Sequence, residues 1–104
     1  MTSENLAALL AERVMGWTVG PDRYLMGKRA WMPRWRFQPT ENLEDAFLLL
    51  GKATPEEYNM RGDSEGNFRV QVRIGGVSGE AWGASKPLAI TWAIARAVGI
   101  EVAP

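Results

Sequence analysis

SKPLAITWAIARAVG, residues 85–99, reads as a helix that is apolar almost all the way round. Such a helix is not a surface element; it must be covered on most sides. Ser85 supplies an N-cap, Pro87 sits in the first turn, and Gly99 followed by Ile100 is the signature of a Schellman stop. Ala89, Ala93, Ala95 and Ala97 are small enough to let a sheet approach closely. Everything upstream therefore has to provide the cover.

The nearest cover lies just before it. Phe68, Val70, Val72 and Ile74 alternate with Arg69, Gln71 and Arg73, a half-exposed strand over 68–74. Gly75 to Gly79 predicts a reversal, and Glu80 to Ala84 pairs back as a hairpin. At the other end of the chain, Leu6, Leu9, Leu10, Val14 and Met15 recur mostly at spacings of three and four. With Thr2 and Ser3 as caps, Glu4 in the first turn and Gly16 as the stop, they predict a helix from about Ser3 to Met15.

Between the two ends the period shifts repeatedly. Trp17–Val19, Tyr24–Met26, Ala30–Met32 and Trp35–Phe37 are strand-like, and Pro33 restricts its neighbourhood to a sheet edge or a bulge. Thr40 caps a second helix, with Glu41, Glu44 and Asp45 early, Leu43, Ala46, Phe47 and Leu50 as its buried stripe, and Gly51 as its end. Lys52 to Asn67 is polar and punctuated by Pro55, Gly62 and Gly66, which predicts a loop. Within it, Thr54-Pro55-Glu56-Glu57 has the capping-box pattern of one short helical turn. Three main helices and hairpin-linked strands give one α+β domain over residues 1–104, a mainly antiparallel sheet with helices packed on it. The polar face of 68–74 requires part of that sheet to stay open or wet.

Composition narrows the chemistry. Twelve basic and twelve acidic residues cancel, so no global field steers the chain to long nucleic acid or to a membrane surface. There is no cysteine and no histidine, which removes thiolate chemistry, the commonest general base and the commonest metal ligand. No cofactor is expected. The N-terminus has no basic region ahead of its apolar residues and no apolar run reaches membrane-spanning length, so a cytoplasmic protein is expected.

Glu12-Arg13-Val14-Met15-Gly16-Trp17, Pro39-Thr40 with Leu43 and Asp45-Ala46-Phe47, Gly79-Glu80-Ala81, Pro87-Leu88-Ala89-Ile90 and Ala97-Val98-Gly99-Ile100 together resemble the phage ABA sandwich domain family. The resemblance covers nearly the whole chain and implies an α-β-α sandwich, a sheet between helical layers, in a phage or prophage protein acting in an infected bacterial host. It carries over no catalytic residue.

The segment 23–37 departs from the rest. Arg23, Lys28, Arg29, Arg34 and Arg36 are interleaved with Tyr24, Trp31, Trp35 and Phe37, with no acid among them. Guanidinium groups fork onto phosphates and flat rings stack on bases, so the pattern suits a small phosphorylated nucleotide. A β-edge with packed or dimer-forming tryptophans and solvated arginines explains it too, and such aromatic stripes are more often packing. Arg69 and Arg73 on one strand face, with Trp82 on the following strand, are candidates to complete the same site. The ligand-binding set is therefore Trp31, Arg34, Trp35, Arg36, Arg69, Arg73 and Trp82, with no catalytic and no metal residue. Glu80 is the one acid to watch as a base.

Three readings follow: a non-enzymatic accessory protein that sequesters a small nucleotide, as a bacterial immune signal would be; a protein–protein or structural module using the same aromatics; and, with least support, a hydrolase using Glu80 or another acid. Five tryptophans in so short a chain also lead to an expectation of a homo-oligomer.

Overall fold

In the computed structural model, which describes residues 2–102, the sheet that covers the last helix is a meander. Its strands β4 (Glu57–Gly62), β5 (Phe68–Ile74) and β6 (Val77–Gly83) are antiparallel in the order β4-β5-β6. A second, smaller antiparallel sheet joins β1 (Thr18–Val19), β2 (Arg23–Leu25) and β3 (Trp31–Pro33) in that order. Three α-helices complete the α+β fold: α1 (Ser3–Leu10), α2 (Leu43–Ala53) and α3 (Lys86–Ala97).

The last helix is built as its sequence predicts. Ser85 Oγ accepts from the Leu88 amide at 3.4 Å. At the other end Ile100 N–H donates to Ala95 O at 2.8 Å and Gly99 N–H to Arg96 O at 3.2 Å, the paired bonds of a Schellman motif, with Gly99 at φ +84°. Ala89, Ile90, Ala93, Ile94 and Ala95 are all buried, and Trp92 packs against the core from a half-buried position. Thr91, fully buried, satisfies its hydroxyl by donating to Pro39 O at 2.7 Å, which ties α3 to the segment before α2. Arg96 reaches past the helix end, donating to Glu80 O at 2.6 Å and to Val102 O at 3.2 Å.

Val70, Val72, Gly79 and Ala81 form the inner face of the larger sheet beneath α3. The register places Glu57, Asn59 and Arg61 of β4, Arg69, Gln71 and Arg73 of β5, and Ser78, Glu80 and Trp82 of β6 on the outer face. That is the open face predicted from the alternation in 68–74. Gly75 and Gly76, at φ +57° and +81°, make the two-residue reversal between β5 and β6.

Helix α1 begins with Thr2 Oγ1 accepting from the Asn5 amide at 3.1 Å. The predicted span to Met15 is helical throughout, but Ala11–Met15 is a π turn, closed by Gly16 in the left-handed region. Trp17 N–H still reaches back to Ala11 O at 2.9 Å. The wide turn brings Trp17 onto the small sheet, where its ring lies 5.8 Å from Tyr24 and 5.1 Å from Phe37. Tyr24 and Phe37 meet edge to face at 6.0 Å and are 0% and 1% exposed.

Several local expectations are overturned. Asn42, not Thr40, caps α2, accepting from the Asp45 amide at 3.0 Å, while Thr40 is buried. Gly51 lies inside the helix; the stop is Thr54, a non-glycine residue at φ 46°. The buried stripe is Ala46, Leu49 and Leu50, against α3, so Leu43 and Phe47 are instead 38% and 43% exposed. Residues 52–67 are not one loop, since α2 runs on to Ala53 and β4 occupies Glu57–Gly62. The Thr54–Glu57 capping-box signal loses to strand pairing: Glu56 N–H donates to Arg73 O at 2.8 Å and its carboxylate accepts from Gly76 N–H at 2.6 Å. Trp35–Phe37 is no strand; Arg34–Arg36 is a 3₁₀ turn.

Candidate functional site

Pro33, on the edge strand β3, has φ −59° and an extended ψ, and the chain after it has no strand to pair with. It turns instead, with Arg34 N–H on Asp22 O at 3.1 Å and Phe37 N–H on Arg34 O at 3.3 Å. Phe37 then drives its ring into the Trp17–Tyr24 cluster, and this anchors the turn. The alternation of direction leaves Trp35 pointing outward, 71% exposed. Gln38 fastens the far side, its side-chain amide donating to Trp35 O at 2.7 Å and its backbone N–H to Asp45 Oδ2 at 2.9 Å.

Arg34 is the opposite case. Its side chain is only 18% exposed and its guanidinium lies 5.8 Å over the Tyr24 ring. Nη1 donates to Gly20 O at 3.4 Å, and Nη2 stands 3.7 Å from Glu4 Oε1, an ion pair whose acidic side is 71% exposed. Burial pushes the Tyr24 phenol above its ordinary range, and the neighbouring Arg34 partly opposes that rise.

A cavity of about 250 Å³ opens between this turn and the start of α1. Ser3, Glu4 and Ala7 form one wall, Arg34, Trp35 and Phe37 the other, and Gln38, Thr40 and Glu41 close the end. It combines a positive charge, a free indole, the start of a helix and two carboxylates.

The seven candidate residues do not converge. Arg34 and Trp35 line this cavity. Trp31, 54% exposed, stacks with Arg23, whose guanidinium carbon is 5.0 Å from the ring centroid, and Arg36 is exposed on the same turn. Arg69, Arg73 and Trp82 belong to the other sheet, on its outer face. Among the interleaved aromatics, Tyr24 and Phe37 are core. The sequence reading missed Ser3, Glu4, Gln38, Thr40 and Glu41; only knowledge that α1 starts beside Arg34 would have found them.

The outer face carries its own network. Arg69 Nε donates to Glu80 Oε1 at 2.8 Å and Gln71 Nε2 to Glu80 Oε2 at 2.9 Å, while Arg69 also lies 5.2 Å over Trp82. Arg73 pairs with Glu56 at 3.3 Å and with Glu57 at 3.4 Å. An open trough of about 690 Å³ crosses the face beside Asn59, Gln71, Arg73, Ser78 and Glu80. The bonds from Arg69 and Gln71 hold the Glu80 carboxyl below the usual carboxylate range, so it is a firmly ionised anchor and a poor base. Because folding lowers that pKa, the carboxylate stabilises the fold above its unfolded value near 4.5, and the contribution fades as pH falls through the lower folded value. Glu80→Gln is accordingly expected to flatten the Tm against pH as pH falls below the unfolded value near 4.5; an unchanged slope in thermal melts would contradict it.

Among the described residues no group of three or more acidic, His or Cys side chains is placed to hold a metal, and no helix is long and apolar enough to cross a membrane.

The model of the phage ABA sandwich domain family matches residues 8–94. A crystal structure of a phage protein from Bacillus cereus ATCC 14579 is similar with a TM-score of 0.79, covering 99% of this chain and 93% of that one. The identity is 19%, so the likeness is one of fold alone. No curated protein matches the chain.

Proposed function

The chain belongs to the phage ABA sandwich domain family, and from that premise we propose that it is a non-enzymatic accessory protein that captures one small phosphorylated nucleotide in the infected host. The capture site is the cavity between α1 and the Arg34–Arg36 turn, and its consequence is to keep the nucleotide from a host receptor.

One observation carries the reading: a part-buried guanidinium and a 71% exposed indole share one small cavity at a helix start. A phosphate oxygen replaces the long, solvent-exposed contact of Glu4 on Arg34 Nη2 and takes charge-assisted hydrogen bonds from that group and the first-turn amides. The base stacks on Trp35 at the rim. The size, about 250 Å³, is just below the ~300–1,000 Å³ of ordinary ligand pockets, so it holds a single sugar-phosphate with the base outside it. Glu4 and Glu41 weigh against the added charge of a polyphosphate. The lack of histidine and cysteine supports binding over turnover.

Calorimetric titration with cyclic mononucleotides, AMP and ADP-ribose is expected to show saturable binding to at least one of them. Trp35→Ala and Arg34→Ala each weaken it by roughly tenfold or more, the scale of one lost base stack or one charged hydrogen bond. No heat with any of these ligands at millimolar concentration would sink the proposal.

A second reading, a protein–protein module, is favoured by Trp82. It is 57% exposed on a sheet face where Arg69 is paired with Glu80 and Arg73 with Glu56, the setting of a binding anchor. In that case Trp82→Ala, and not Trp35→Ala, abolishes capture of a purified host or phage partner.

A further inference from the structure

Helix α2 presents an apolar surface to solvent. Leu43, Phe47 and Leu48 are 38%, 43% and 49% exposed, although the same helix buries Ala46, Leu49 and Leu50 against the rest of the protein. In the middle of the exposed arc lies Gly51, one turn from Phe47. Glycine is the poorest helix former after proline, and within the chain nothing calls for it here: a Cβ at this position would meet no atom within 4 Å. A glycine without an internal reason, surrounded by exposed apolar side chains, marks close approach by something outside the chain.

We infer that α2 is a dimer interface and that its occupant is α2 of a second copy, packed antiparallel. The charges identify the partner. Glu44 and Lys52, both exposed, each stand four residues from Leu48, one toward the positive start of the helix and one toward its end. A two-fold axis through Leu48 sets Glu44 of each copy against Lys52 of the other and opposes the two helix dipoles. The same register sets Phe47 against position 49 of the other copy, and because helical side chains lean toward their own N-terminus its ring reaches about 3 Å further along the antiparallel partner, over Gly51 and into the space a side chain would fill. The surface is small, so the dimer is expected to be weak and reversible. It does not depend on the cavity beside Arg34 or on what fills it.

Sedimentation velocity of the full chain from about 10 μM to 1 mM, a range suited to a small, weak interface, tests this directly. The wild type is expected to shift from monomer to dimer, and Phe47→Asp to weaken the dimer by about tenfold or more. Glu44→Lys and Lys52→Glu each weaken it, and the two together restore it. Gly51→Ala gives effects of opposite sign: a higher Tm for the dilute monomer and a weaker dimer. A wild type that stays monomeric at 1 mM, a dimer that tolerates Phe47→Asp, or a double charge reversal that fails to restore association overturns the inference.

Discussion

Gly79→Ala is expected to lower the Tm by on the order of 15 °C, since of all the glycines this one leaves the least room for a methyl group. Gly79 faces inward on β6, directly under α3. A Cβ there collides with the carbonyl oxygen of Ala93 and stands 2.5 Å from the Ala97 amide nitrogen and 2.9 Å from the Ala97 Cβ. Two of those neighbours are helix backbone, which cannot rotate away as the end of a side chain can. Relief requires α3 to lift from the sheet, and lifting it opens the contact with Val70, Val72 and Ala81. Overpacking costs of this kind reach about 3 kcal/mol or more, a large part of the 5–15 kcal/mol that holds a typical domain together. Thermal melts followed by circular dichroism give the answer; a fall of only a few degrees would mean that α3 and β6 do not approach so closely.

Phe37→Ala is expected to cost about 3–5 kcal/mol, the range for removing a fully buried aromatic ring. The ring is 1% exposed and is held edge-on by Trp17 and Tyr24, so the gap it leaves lies between elements that no other residue joins in the same way. The loss is also functional. Phe37 anchors the Arg34–Arg36 turn and forms part of the cavity wall, so the variant should lose nucleotide binding along with stability. Phe37→Leu separates the two, because it refills most of the volume and keeps the turn. Urea unfolding of the two variants, with the titration repeated on Phe37→Leu, checks both halves. A cost under about 1 kcal/mol for the alanine variant would show that the aromatic cluster is not a core.

The fold was legible wherever the signal is local and chemical. Ser85, Pro87 and Gly99 mark α3, and the strict alternation of 68–74 marks both β5 and its open face, because each residue's environment is set by the period alone. The failures come where a distant partner overrides a local pattern. Thr54-Pro55-Glu56-Glu57 is a sound helix start in isolation, but the edge of β5 offers six residues of pairing and wins. Asn42 displaces Thr40 as a cap because the turn at Gln38 delays the helix by two residues. The candidate site failed for the same reason at a larger scale. Alternation tells which way Arg69, Arg73 and Trp82 face, yet nothing in it says that they belong to a different sheet from Arg34 and Trp35. The glutamate at position 4 and the glutamine at 38 had no distinguishing chemistry until the backbone placed them beside a guanidinium.

The π turn at Ala11–Met15 has one more consequence. Each residue of an α-helix turns the next by about 100°. Holding an extra residue in a wide turn changes the direction in which the chain leaves without changing how far it has travelled. Trp17 lands on Tyr24 and Phe37 because of that rotation. The placement of the small sheet, and of the cavity beside it, is thus encoded in a count. A chain one residue shorter across 11–15 would keep every apolar side chain that matters and still aim them at the wrong place.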